Sequence, residues 1–158
     1  MDMQYSQAEI KHFMKEAIRR AKTAAKYGET PVGCVIVKDG KIISSGRNKR
    51  ENGKNALYHA ELEAINKACK KLGGWRLHQC DLFVTLEPCP MCAGAIINAR
   101  IKNVYYGAKD LKSGSFGSIV NLSELSYNHK PQIYAGIMEE QCSAVLTDFF
   151  KELRQSKK

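Results

Sequence analysis

Apolar positions recur at two spacings along the chain, and the switch between them marks out its elements. Over 6–27, Phe13, Ala17, Ile18, Ala21, Ala24 and Ala25 fall on one face at helical spacing, with Lys15, Arg19, Lys22 and Lys26 mostly on the other. Ser6 followed by Glu9 has the form of a capping box, and Gly28 is placed to end the helix. The run Val-Gly-Cys-Val-Ile-Val-Lys at 32–38 reads as a buried strand. Asp39-Gly40 is a hairpin signal, because both central positions of that turn favour positive φ, so 41–47 should return antiparallel. The polar stretch 48–55 reads as a loop. Ala60, Ala64, Ile65, Ala68 and Leu72 make the apolar stripe of a second helix over 58–72.

A second buried strand follows at 80–86, and Glu87-Pro88 ends it. A helix then begins near Cys89 and runs to about Arg100. Pro90 is tolerated there because the first turn needs no amide donor. Residues 103–107 form a fourth strand, 108–117 a Gly- and Ser-rich loop, 118–131 an irregular stretch and 132–138 a weaker fifth strand. The last helix, 139–155, carries Cys142, Val145, Leu146, Phe149 and Leu153 at helical spacing; the basic end, 154–158, is expected to fray. This alternation predicts one domain over 1–158: an α/β fold, a three-layer α/β/α sandwich around a mixed five-stranded sheet.

Composition narrows the picture. A chain of 158 residues is long enough for one domain with a real core. No apolar run approaches the length of a membrane span. The stretch 1–10 has no apolar segment of the secretory kind, which favours the cytoplasm. The six cysteines therefore read better as metal ligands and small hydrophobes than as a disulfide framework. The net charge of +9 and pI near 9.3 favour a polyanionic partner, although simple solubility would produce the same balance.

The candidate chemistry lies in two short stretches, His59-Ala60-Glu61 and Pro88-Cys89-Pro90-Met91-Cys92. Each is weak alone: a lone H-x-E is usually a surface dipeptide, and a lone C-x-x-C can be a redox pair or half a structural zinc site. Together they supply one imidazole, two thiols and a spare carboxylate. His59, Cys89 and Cys92 would fill three positions of a tetrahedral zinc and leave the fourth for water, while Glu61 stays free to move protons. Cys89 and Cys92 are three apart at a helix start, where the thiolate form is favoured. His59 and Glu61 are about 200° apart around a helix, so they share a site only if that site faces the helix end. A purely structural zinc would need a fourth protein ligand. His78 and Cys80 are the nearby candidates, but Cys80 reads as the start of a strand. H-x-E followed by P-C-x-x-C is the known signature of the zinc-dependent nucleobase deaminases.

From Phe13 to Arg154 the chain resembles the cytidine deaminase-like superfamily and, within it, the bacterial tRNA-specific adenosine deaminases. The resemblance lies in Pro31-Val32-Gly33, Gly46-Arg47-Asn48, Trp75-Arg76-Leu77, the run from Leu86 through Cys89 and Cys92 to Ala95, Gly107-Ala108-Lys109-Asp110, Asn128-His129 and Asp148-Phe149-Phe150. The zinc motif is common to the superfamily; the Asn-His pair and the Asp-Phe-Phe helix tilt the resemblance toward tRNA. Tyr58 departs from the small or aliphatic residue usual before the His, and Lys130 stands where Arg is frequent.

The resemblance implies one zinc ion per chain, a homodimer, and hydrolytic deamination of adenosine to inosine at the wobble position of a tRNA anticodon. It implies that Asn48 hydrogen-bonds the base or its ribose, and that Asp110, Asn128 and Phe149 touch the flanking RNA; Lys112 is expected to help hold it. Two other classes share parts of the pattern: a deaminase of free bases or nucleosides such as guanine or cytosine, and a non-catalytic zinc module that binds nucleic acid. Glu61 speaks against the module, which needs no proton shuttle.

Overall fold

The computed structural model describes residues 4–157. Helix α1 (Gln7–Lys26) opens with the expected capping box: the Ser6 hydroxyl accepts from the Glu9 amide, and the Glu9 carboxylate accepts from the Ser6 amide. Strands β1 (Gly33–Lys38) and β2 (Lys41–Arg47) form a hairpin, with Asp39 and Gly40 at φ 52° and 76° as the turn requires. There follow α2 (Ala60–Leu72), β3 (Cys80–Leu86), α3 (Pro90–Asn98), β4 (Asn103–Ala108), β5 (Gln132–Tyr134) and α4 (Glu139–Ser156). The sheet order is β2-β1-β3-β4-β5. β1 pairs antiparallel with β2 and β3, whereas β3–β4 and β4–β5 are parallel. The mixed five-stranded sheet and three layers expected from the sequence are both present.

Alternation along the inner strands assigns the layers. Cys34, Ile36, Leu82, Val84, Val104 and Tyr106 face α2 and α3. Val35, Val37, Phe83 and Tyr105 face α1 and α4. With both faces covered, β3 is buried at every position but its last, as a central strand of a sandwich must be. The rings of Phe83, Tyr105 and Tyr134 stack across three strands at 4.3 and 4.7 Å, which ties the short β5 into the sheet. Among the described residues, no helix is long and apolar enough to cross a membrane.

Two helices sit directly on the sheet backbone. A Cβ on Gly33 would lie 1.9 Å from the Ala17 carbonyl oxygen, and one on Gly46 would lie 2.2 Å from that of Ala60. The stripe Ala60, Ala64 and Ala68 is fully buried, and the Ser44 hydroxyl donates to the Ala64 carbonyl at 2.8 Å. These small residues fix the first turn of α2 against β2, and that turn carries Glu61.

The structure revises several boundaries. α2 starts at Ala60 with His59 as its N-cap, and α3 starts at Pro90 with Cys89 as its N-cap. α3 stops at Asn98, because Arg100 has turned to φ 65°. β5 is three residues long and does not reach 138; Gly136 at φ 76° turns the chain, although the Ile137 amide still donates to the Tyr106 carbonyl at 3.0 Å. α4 continues through Ser156, with good helix formers in its last turns and Arg154 near the negative end of its dipole. Lys158 lies outside the described residues.

Gly46→Ala should destabilise the protein by at least about 2 kcal/mol, because the methyl meets backbone and not a flexible side chain. Gly74→Ala, which meets nothing within 4 Å, should stay within about 0.5 kcal/mol. Urea midpoints of the two variants check this.

Candidate active site and metal centre

His59 and Cys89 occupy equivalent places, each the N-cap of a helix with extended backbone (φ −86°, ψ 155° and φ −74°, ψ 174°). Neither side chain caps its own helix, so both are free to face each other across the gap between α2 and α3. Cys92, buried in the first turn of α3, completes the group. The ligand atoms of His59, Cys89 and Cys92 all lie within 4.8 Å of one another. His59 Nδ1 stands 3.7 Å from Cys89 Sγ and 3.5 Å from Cys92 Sγ. Bond lengths of about 2.0 and 2.3 Å at a tetrahedral angle put a nitrogen and a sulfur on one zinc about 3.6 Å apart. The cluster therefore fits a small tetrahedral metal ion before any rearrangement. Cys80 is not part of it: it opens β3, about 20 Å of strand away from the end that leads to Cys89.

The electrostatics favour at Cys89 the thiolate form that a metal ligand needs. A hydrogen bond from Cys92 holds the Cys89 thiol down at about 4, with His59 adding to the effect against the cost of burial. The same bond and burial push Cys92 up. His59 is raised by its hydrogen bond with Cys89. The positive ends of two helix dipoles meet here. Glu61, second residue of α2 and only 4% exposed, sits beside the thiols, and burial pushes its carboxyl up to about 7.

His59, Glu61 and Cys89 line an open cavity of about 190 Å³. One side comes from Thr30, Asn48 and Arg50, the other from Glu87, Asp110 and Ser113. The structure thus brings Asn48 and Asp110 to His59, Glu61 and Cys89. Asn48 is buried: its Nδ2 donates to the Thr30 carbonyl at 3.1 Å, and its Oδ1 accepts from the Arg50 amide at 3.0 Å. Asp110 accepts from the amides of Lys112 and Ser113 and from the Ser113 hydroxyl, so it also shapes its own turn.

Lys112, Asn128 and Phe149 do not line the cavity. Lys112 and Asn128 are exposed, and Phe149 is half-buried on α4, edge-on to Phe150 at 5.3 Å. The unusual Tyr58 finds a packing role: its ring lies against Gly53, where a Cβ would come within 2.3 Å of it. Sequence reasoning missed Arg50 and two buried carboxylates. Glu29, fully buried, accepts from the Glu51 and Asn52 amides at 2.9 and 2.7 Å. Glu87, also buried, organises the opposite loop. Each acid stands beside an element terminus, next to Gly28 or Pro88, and that placement was the one available signal.

The profile of the MafB19-like deaminases matches residues 8–154. The chain is 48% identical over 147 residues to the tRNA-specific adenosine deaminase of Bacillus subtilis (strain 168), covering 92% of this chain and 91% of that one. The chain belongs to the tRNA-specific adenosine deaminase family. A solved structure from work on A-to-I editing by tRNA:A34 deaminases at the wobble position of transfer RNA superposes on this member of the family with a TM-score of 0.82. The two are 42% identical, over 85% of this chain and 99% of that one. A guanine deaminase of Bacillus subtilis is more distant, with a TM-score of 0.60 and 34% identity over 74% of this chain and 85% of that one.

The geometry generates a direct test. Cys89→Ser and Cys92→Ser should each lose bound divalent metal, whereas Cys69→Ser and Cys80→Ser should keep it. Elemental analysis of the purified variants decides the matter, and retention of full metal by Cys92→Ser would break the assignment.

Proposed function

We propose that this deaminase converts adenosine to inosine at the wobble position of a tRNA anticodon. The observation that carries the proposal is the buried Glu61 beside the His59, Cys89 and Cys92 cluster in an open cavity, in a chain 48% identical to a named tRNA-specific adenosine deaminase. The resident metal in this reading is zinc, one ion per chain, because an imidazole and two thiolates at tetrahedral spacing are its donor set. When bound, zinc supplies a water acidified to near neutrality. His59, Cys89 and Cys92 hold the ion. Glu61 would accept one proton of the attacking water at its carboxylate and pass it to the purine ring nitrogen, then accept the second and pass it to the departing amine. Adenosine and water are consumed; inosine and ammonia are released.

Asn48, with one donor and one lone pair still free, is suited to the base or its ribose. Asp110 borders the cavity, and Lys112, Asn128 and Phe149 are assigned to the RNA on either side of the target base. An adenine stacked in a loop must be splayed out before it can enter, at a cost of a few kcal/mol that contacts to its neighbours offset. The excess of 25 Lys and Arg over 16 Asp and Glu supports such a partner. The enzyme would act in the cytoplasm, as a homodimer. The dimer reading draws support from the exposed Leu111, Ile119, Val120, Leu125 and Tyr127 on one segment, and sedimentation velocity tests it.

Glu61→Gln should keep the fold and the metal while turnover falls by at least about 10³-fold. The substrate is tested by incubating the wild-type enzyme with an anticodon stem-loop carrying adenosine at the wobble position, free adenosine, guanine and cytosine. Inosine from the stem-loop alone is the expected result. Ammonia from guanine or cytosine, with the stem-loop untouched, would overturn the substrate and leave the chemistry standing.

A further inference from the structure

One side chain holds the loop that forms half the cavity wall. Glu87 lies between the end of β3 and Pro88-Cys89, and only 2% of it is exposed. One carboxylate oxygen accepts from the Asp110 amide at 3.1 Å and from the Ser118 hydroxyl. The other accepts from the amides of Phe116 at 3.2 Å and Ser118 at 3.0 Å. Gly114 closes over the same group: a Cβ there would fall 2.3 Å from Glu87 Cδ. The Ser115 amide donates to the Pro88 carbonyl at 2.9 Å and fastens the same loop to the next residue. Among the described residues, no Lys or Arg stands within ion-pair reach of Glu87. The carboxylate is satisfied by four donors, and all four come from the loop between Asp110 and Ser118.

We infer that Glu87 is a positioning residue for the substrate, holding the 108–118 loop against the metal-binding segment so that Asp110 and Ser113 face the same cavity as Glu61. The inference deepens the reading of a nucleic-acid substrate and rests on it. Glu87 is two residues from Cys89, with the rigid Pro88 between them, so one short stretch sets both the metal ligands and the wall. Loss of the four bonds would move the wall. The ligands, fixed by the first turn of α3, would stay. A glutamine has the same shape, but whichever way its amide turns, the NH₂ meets at least one backbone N–H with nothing to accept it. Glu87→Gln should therefore loosen the loop and weaken binding in the ground and transition states together, which raises KM and spares kcat.

The test is steady-state kinetics on the stem-loop with zinc-loaded wild type, Glu87→Gln, Asp110→Ala and the double variant. Glu87→Gln should raise KM roughly tenfold while kcat per bound zinc holds within about threefold. The double variant should be no worse than the weaker single one, because both lesions act through one loop. Ser118→Ala removes one of the four donors, the hydroxyl, from the outer side of the clamp; it should shift KM in the same direction by less, and it serves if Glu87→Gln does not fold. An unchanged KM, a loss confined to kcat in proportion to missing metal, or full additivity with Asp110→Ala would each overturn the role. If the wild type leaves the stem-loop untouched, the substrate reading alone fails. The same proteins are then compared on the base it does deaminate, where an unchanged KM again overturns the role of Glu87.

Discussion

The structure depends on bringing one imidazole nitrogen and two thiol sulfurs to within 4.8 Å of one another from segments thirty residues apart. A helix end is a natural solution, since the cap residue is extended while the next residue is already fixed. Here the solution is used twice. His59 and Cys89 each cap a helix whose first turn is pinned to a strand, α2 on β2 through Gly46 and α3 behind the end of β3. The sheet sets the separation, and the positive ends of the two helix dipoles favour the thiolate form of the cysteines. A larger residue at any contact between these helices and the sheet would shift one ligand relative to the others. That is why α2 meets β2 through Gly46 and a stripe of buried alanines.

The walls of the cavity follow another rule. Both flanking loops are polar and irregular, and each turns around a buried carboxylate that is paired only with backbone or hydroxyl donors. Glu29 serves the loop after β2, and Glu87 the loop after β4. Hydrogen bonds to a charged group contribute about 1.5–3 kcal/mol each, and a buried charge left without them is costly. Loops held this way keep one shape without a hydrophobic core of their own. The side chains they present to the cavity, Asn48 and Arg50 on one side and Asp110 and Ser113 on the other, can therefore be polar.

Much of this was legible in the sequence, and the reason differs by region. α1, the β1–β2 hairpin and β3 are specified locally: a capping box, an Asp-Gly turn and an unbroken apolar run each admit one reading. The cluster of His59, Cys89 and Cys92 was legible because the spacing of the two motifs is that of a metal site. Helix starts were placed early, by two residues for α2 and by one for α3, because the caps His59 and Cys89 are not the Ser, Thr, Asp or Asn that normally announces a cap. β5 was read too long because Gly136 breaks a stretch whose apolar pattern continues to Ile137 and Met138. Glu87 and Glu29 escaped notice because their partners are backbone amides 22 to 31 residues away, which leave no mark in composition or periodicity.

The short β5 also bears on how the molecule behaves in a crowded solution. A sheet edge exposes a row of free amides and carbonyls, an invitation to strands from other molecules. On the β5 side that row is three residues long and is cut off by Gly136. On the β2 side the strand begins with Lys41 and ends with Arg47, and its register slips opposite Ile36 and Val37. One edge is too brief to template a neighbour, and the other is charged and kinked. A protein with so apolar a middle layer is thereby kept from polymerising through its own sheet.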